Sequence, residues 1–207
     1  MSRLVPILGL VLFGVACSGD GSPAGSSPMD STAVQDSLHF LHPAVWAPAL
    51  GERQVSFWAV RGETREVRIM YRAPAGSGDS VELARFRVDS RSLVNYPDGT
   101  PIAQGDSVLI TLQVVDTLRF ITEFSPQGLE FSPSRPARLW LKFGECDPDL
   151  NGDGKVDSTD SALLLDLRIW RQEHPGDPWS LLPGNVDTSS QEVDADIPGF
   201  TRYALSY

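Results

Sequence analysis

Six oxygen-bearing positions in one short run carry the clearest chemistry in this chain. The run is Asp149-Leu-Asn-Gly-Asp-Gly-Lys-Val-Asp-Ser-Thr-Asp160. Side-chain oxygens fall at its first, third, fifth, ninth and twelfth places as Asp149, Asn151, Asp153, Asp157 and Asp160, and the Lys155 carbonyl falls at the seventh. Hard oxygen donors in this number suit a hard cation, and calcium takes about 6–8 of them. A short segment can supply them only by folding around the ion, which needs a sharp turn at the sixth place. Gly154 stands there, and glycine reaches the required backbone angles without steric cost. Val156 at the eighth place is expected to pin the loop to a core. A start at Asp147 fails, because it puts Ser158 at the twelfth place. The usual last ligand is a bidentate Glu; Asp160 is one methylene shorter, so the loop must close more tightly or use a water.

The spacing is that of an EF-hand calcium loop. The longer string DLNGDGKVDSTDSALL resembles one dockerin-type repeat, an acidic loop running directly into a helix, and such loops commonly end in Asp. The resemblance covers about residues 149–164 and implies docking to a cohesin partner. Dockerins carry two repeats; the acidic residues Asp187, Asp194 and Asp196 lack the glycine and the spacing of a second.

The elements that must position the loop follow from alternation. QVSFWAV (54–60) places Val55, Phe57 and Ala59 on one face, and EVRIMYR (66–72) places Val67, Ile69 and Tyr71. The short R-G-E-T connection predicts a hairpin between them. In SVELARFRVD (80–89) the apolar parity shifts between Val81, Leu83 and Phe86, Val88, which predicts a bulge near Ala84. SVLITLQVVD (107–116) sends Val108, Ile110, Leu112 and Val114 inward. LRFITEF (118–124) and a strand carrying Leu139, Leu141 and Phe143 follow, then LRIWRQ (167–172). Short alternating strands with frequent turns predict an all-β fold, an antiparallel β-sandwich with an inserted calcium loop and one short helix at about 158–165, capped by Ser158 or Thr159 with Leu163 and Leu164 toward the core. The apolar, proline-broken HFLHPAVWAP (39–48) is expected to lie against the domain as a lead-in.

The run SPQGLEFSPSRPARLWLKF, through Pro126, Gly128, Phe131, Pro136 and Leu139, resembles the β-sandwich domain of ankyrins, zonula occludens proteins and netrin receptors. The closing ADIPGFTRYALSY resembles the last strands of bacterial relatives. This resemblance covers about residues 100–207 and implies a structural or interaction role without catalytic residues.

The N-terminus supplies an address. Arg3, an apolar run from Leu4 to Ala16, and Cys17 form a signal peptide over 1–17, too short to span a bilayer. Cys17 after Ala16 is similar to a bacterial lipoprotein signal, with Gly14 where Leu is usual, and implies lipidation of Cys17 and a membrane anchor; an ordinary secretory signal is the alternative. Ser18 is compatible with outer-membrane sorting. Residues 18–37 are a Gly-, Ser- and Pro-rich flexible tether. Residues 38–207 form the single folded domain. A formal net charge of −10 argues against nucleic acid, which needs a basic footprint. Cys146 is expected to be a buried structural thiol with no disulfide partner once Cys17 is lipidated.

Three tryptophans, Trp58, Trp140 and Trp170, take the parity opposite to the inward residues of their strands. On one shared sheet they would form an aromatic platform for a glycan or protein ligand; otherwise the lead-in or the helix covers them as a second small core. Trp46 and Trp179 are expected to anchor loops. No G-x-S-x-G, H-E-x-x-H or phosphate loop occurs, and His39, His42 and His174 sit in proline-flanked loops. The expectation is a non-enzymatic, calcium-binding envelope lipoprotein with a structural or binding role. The alternatives are a dockerin-like accessory module of a polysaccharide-degrading assembly, and an unrecognised hydrolase.

Overall fold

The computed structural model describes residues 38–73 and 80–207. The signal stretch with Cys17, the tether over 18–37 and most of the Gly/Ser loop after Ala73 lie outside the described residues. The described chain is an antiparallel β-sandwich. Its strands are β1 (Gln54–Val60), β2 (Arg65–Met70), β3 (Glu82–Val88), β4 (Leu93–Asn95), β5 (Ser107–Asp116), β6 (Ile121–Ser125), β7 (Glu130–Phe131), β8 (Ala137–Lys142), β9 (Arg168–Gln172), β10 (Trp179–Leu181), β11 (Gly184–Asp187), β12 (Glu192–Ile197) and β13 (Arg202–Ser206). Helix α1 (Ser158–Asp166) lies between β8 and β9. One sheet runs β1-β5-β6-β13-β9-β10, the other β11-β12-β8-β3-β2, and β4 with β7 makes a small third pair. No helix among the described residues is long and apolar enough to cross a membrane.

Alternation decides which side chains enter the space between the sheets. Val108, Ile110, Leu112 and Val114 are all buried, as their period of two requires, while Leu109 between them is exposed. Leu139, Leu141 and Phe143 do the same from β8 and the residue just beyond it. In β3 the parity shift is a bulge: Ile69 pairs with Ala84 but Met70 with Glu82, so Leu83 is the extra residue, and Leu83 and Ala84 are both buried. The centre of the core is aromatic. Phe86 is fully buried and stands edge-on to Phe124 at 4.8 Å and to Phe200 at 5.6 Å between ring centres, a favoured geometry.

Two expectations about the strands fail. β1 and β2 do not form a hairpin: β1 pairs with β5 in one sheet and β2 with β3 in the other. Both strands carry an apolar face, and the connection at Arg61–Thr64 turns the chain so that those faces oppose each other across the core. Gly62 makes the turn at φ +110°, where a Cβ would meet the Gln104 side chain at 2.0 Å. The strand expected at 118–124 begins only at Ile121, because residues 117–120 make the turn after β5, with Phe120 at φ +50°.

Candidate metal centre

Backbone-to-carboxylate hydrogen bonds close the loop at 149–160. The Asp149 carboxylate accepts from the N–H groups of Gly152 (2.9 Å), Asp153 (3.1 Å) and Gly154 (2.8 Å). At the far end Asp160 accepts from Leu150 (2.8 Å), Asn151 (3.2 Å) and Asp157 (2.8 Å). The first and last acidic positions thereby tie the loop to itself. Between them Asn151 accepts from Asp153 N–H at 2.9 Å, and Asp153 from Lys155 N–H at 2.9 Å. Gly152 and Gly154 take φ of +72° and +84°, and a Cβ on either would meet nothing within 4 Å. Glycine is needed here for its backbone angles, not for room.

The loop runs straight into α1, and the join shares its last ligand position. The N-cap is Asp157, whose side chain accepts from Thr159 N–H, while the Asp160 side chain accepts from Asp157 N–H: a capping box. The expected caps, Ser158 and Thr159, are instead inside the first turn, because the acidic side chain one residue earlier reaches the free N–H groups first. Asp160 is the one buried residue of the helix. The N–H of Asp157 holds its carboxyl below the ordinary carboxylate range, with those of Asn151 and Leu150 adding to the effect, while burial works the other way. Asp160 therefore stays ionised at neutral pH. Leu163 and Leu164 are half-buried, and Leu164 packs against the main core as expected. Val156 does not pin the loop: it is 64 % exposed, because the loop stands off the sandwich and leans on it through half-buried Leu150 instead.

The side chains fit a divalent cation in type and charge. Asp149, Asp153, Asp157 and Asp160 stand against Lys155 alone within the loop, and among the described residues the ion pairs lie elsewhere, as in Arg68–Glu82, Arg138–Asp194 and Lys142–Glu192. The donors are hard oxygens, the set calcium prefers over softer metals. The carboxylates are not drawn into a tight cluster: among the described residues no group of three or more His, Cys, Asp or Glu side chains is close enough to hold an ion. Two of the six expected donors, Asn151 and the Lys155 carbonyl, lie outside those residue types. In Asp149 and Asp160 one carboxylate oxygen accepts two N–H groups, while the other accepts one and keeps a second lone pair for an ion.

A second structure meets the loop at its start, and sequence reasoning missed it. The Tyr207 hydroxyl donates to the Leu150 carbonyl, and its ring stacks on His39 at 5.4 Å between centres. Burial lifts the Tyr207 phenol above its usual range, and the charges of Asp160 and Asp149 add to that. A cleft of about 290 Å³ lies here, lined among others by His39, His42, Arg119, Asp147, Asp149 and Tyr207. His42 Nδ1 donates to the Leu118 carbonyl at 2.9 Å. The only sequence signal for this junction was the apolar character of 39–48. Cys146, next to it, is buried, and burial pushes its thiol up to about 12.

The three tryptophans do not share one surface. Trp140 is on β8, in the sheet opposite to that of Trp58 on β1 and Trp170 on β9. Arg85 and Arg138 sit over its ring at 4.4 and 5.4 Å. Trp58 and Trp170 are in one sheet but four strands apart, roughly 19 Å. Trp58 is 59 % exposed, whereas Trp170 packs into a small satellite cluster with Ile121, Trp179, Ala204, Leu38 and Phe40. Alternation fixes the face of a strand but not its sheet, which left the platform conditional on a shared sheet; for Trp170 the alternative holds, since Leu38 and Phe40 of the lead-in cover it. Neither of the other two anchors a loop as expected: Trp179 is buried but begins strand β10, and Trp46 is 63 % exposed. Compared with protein-family models, with curated proteins and with solved structures, the chain matches none.

Proposed function

We propose that this chain is a non-enzymatic, extracytoplasmic calcium-binding lipoprotein, in which one calcium ion clips the crossover between the two sheets of a structural or ligand-binding β-sandwich. The observation that supports it is the closure of the acidic loop upon itself. Asp149 and Asp160 gather six backbone N–H bonds between them, and the loop's four carboxylates face one lysine. Asp149, Asn151, Asp153, the Lys155 carbonyl, Asp157 and Asp160 would hold the ion. Calcium supplies the missing positive charge and no reaction chemistry. A flexible, carboxylate-rich loop suits calcium better than magnesium, which demands near-ideal octahedral geometry and keeps its waters. Calorimetric titration of the purified protein with calcium tests this. One ion per chain is expected, with binding abolished in Asp149→Ala; no heat of binding at millimolar calcium would end the proposal.

Cys17 carries the address, with its lipid holding the protein at the cell envelope through the tether at 18–37. A dockerin-like role is the second reading, favoured by the exposure of Val156 in the loop and Leu165 in the helix, at 64 % and 61 %. Apolar side chains left in solvent beside such a loop would serve as contacts for a cohesin, and mixing with cohesin domains separates the two readings.

A further inference from the structure

The segment from Leu38 to Ala44 runs along the six-stranded sheet as a strap, with Leu38 and Phe40 on its outer side and Leu41 buried in the main core. Its upper part takes the place that β6 leaves vacant. β6 pairs with β13 only at Arg202 and Tyr203. Beyond that point the strap bonds the end of the chain instead: Leu41 N–H donates to Leu205 (3.2 Å), His39 N–H to Tyr207 (3.3 Å), and Tyr207 N–H back to His39 (3.4 Å). Its lower part is tied to the stretch that leads into the acidic loop. Asp147 N–H donates to the His42 carbonyl at 2.8 Å, and Ala44 N–H to the Glu145 carbonyl at 3.0 Å. The strap covers an apolar surface. Phe40 packs on Trp179 with ring centres 5.1 Å apart, and Leu38 and Phe40 close over Ile121, Trp170 and Ala204.

Glu145–Leu150 is therefore common property. One side of it holds the strap; its last two residues are the first two positions of the loop. Tyr207 joins them a second time, stacked on His39 and donating to Leu150.

We infer that the ion in the 149–160 loop holds this strap down, so that losing calcium uncovers the aromatic face beneath it. The inference rests on the calcium reading and goes past it by assigning what the ion controls. Without the ion, like charges on Asp149, Asp153, Asp157 and Asp160 repel within twelve residues. The loop then opens at its ends, where Leu150 and the stretch before it belong to the strap's anchor. The Leu150 carbonyl leaves Tyr207, the phenol stays beside two carboxylates without its acceptor, and the upper part of the strap loses that fastening, while buried Cys146 keeps the lower one in place. Leu41, buried in the main core, stays seated, so the opening is confined to the strap's first residues. Because coupling between two sites is reciprocal, loosening the strap must also weaken calcium binding.

Hydrogen exchange of the full chain, in calcium and in chelator, reads this directly. The amides of His39 and Tyr207 are expected to exchange at least about tenfold faster in chelator, a coupling within the usual range for linked sites, while those of Leu41, Ala44, β5 and β8 stay protected. The emission of Trp170 and Trp179 should shift to the red in the same samples. In Tyr207→Phe, which keeps the ring, calcium affinity by calorimetry should fall about fivefold, the effect of losing one net hydrogen bond. Normal calcium binding with unchanged strap exchange and an unchanged Tyr207→Phe affinity would overturn the strap inference and leave the calcium reading standing. Absent calcium binding would overturn both.

Discussion

Chelation should lower the melting temperature without abolishing the fold. The loop from Asn151 to Thr159 is exposed throughout, so the ion adds no apolar burial. The crossover that carries it is anchored at both ends by buried residues, Phe143 and Cys146 before the loop and Leu167 and Ile169 after α1. These belong to the main core and hold the crossover in place when the loop opens. The stabilisation is then the mass-action term of a ligand that binds only the folded chain, about 2.7 kcal/mol at a calcium concentration a hundred times the dissociation constant. For a domain of this size each kcal/mol moves the midpoint by roughly 2–4 °C, so a rise of about 5–11 °C is expected. Circular-dichroism melts in millimolar calcium and in chelator measure it, and Asp160→Asn should follow the chelator curve in both. Coincident curves for the wild-type protein, or a rise equally large in Asp160→Asn, would refute the reasoning.

Two further outcomes concern the scaffold. Phe86→Ala empties the aromatic centre between Phe124, Phe131 and Phe200 and should cost about 3–5 kcal/mol in denaturant unfolding, whereas Trp58→Ala, on an exposed ring, should stay within about 0.5 kcal/mol. Acid should act through Asp187, whose carboxyl is held down from 3.8 to about 2, first by the Ser189 hydroxyl and then by the Ser190 N–H. A carboxyl lowered by folding stabilises the fold above its unfolded value and loses that contribution as pH falls toward the folded one. Melting temperature should therefore decline between about pH 4 and pH 2, and less steeply in Asp187→Asn, which a pH series of thermal melts would show.

The parts of the fold legible in the sequence were those set by a period of two. β5 needed only its own alternation, and the β3 bulge announced itself by the parity shift from Val81 and Leu83 to Phe86 and Val88. The partners of a strand were not legible, because side-chain direction says which face is apolar and nothing about which sheet holds it. β1 and β2 look like neighbours in the chain and lie in opposite sheets. The same blindness grouped Trp140 with Trp58 and Trp170. In the loop, the chelating pattern gave the turn at Gly154, since that follows from local geometry, but it read Asp149 and Asp160 as ligands and not as acceptors that tie the loop. It misplaced Val156, whose environment depends on how far the loop stands from the sandwich. The capping box was present in the letters, Asp157 three residues before Asp160, but was hidden by counting both residues as ligands only.

That double use of Asp160 bears on what the loop can report. A proposed ligand that also closes the capping box and accepts from Leu150 and Asn151 cannot shift without disturbing the first residues of the loop. Those residues touch Tyr207 and adjoin the stretch bonded to His42 and Ala44. The path from ion to strap is thus a chain of direct contacts, with no long-range transmission to invoke. In sequence the strap follows immediately on residues 18–37, the proposed tether. On the proposed lipoprotein reading, an ion that fastens the strap would act where the domain joins its anchor, and leave the sandwich itself as it is. Calcium's effect would then fall on how the domain is presented, and it requires that chelation alter strap exposure even in samples whose core amides remain fully protected.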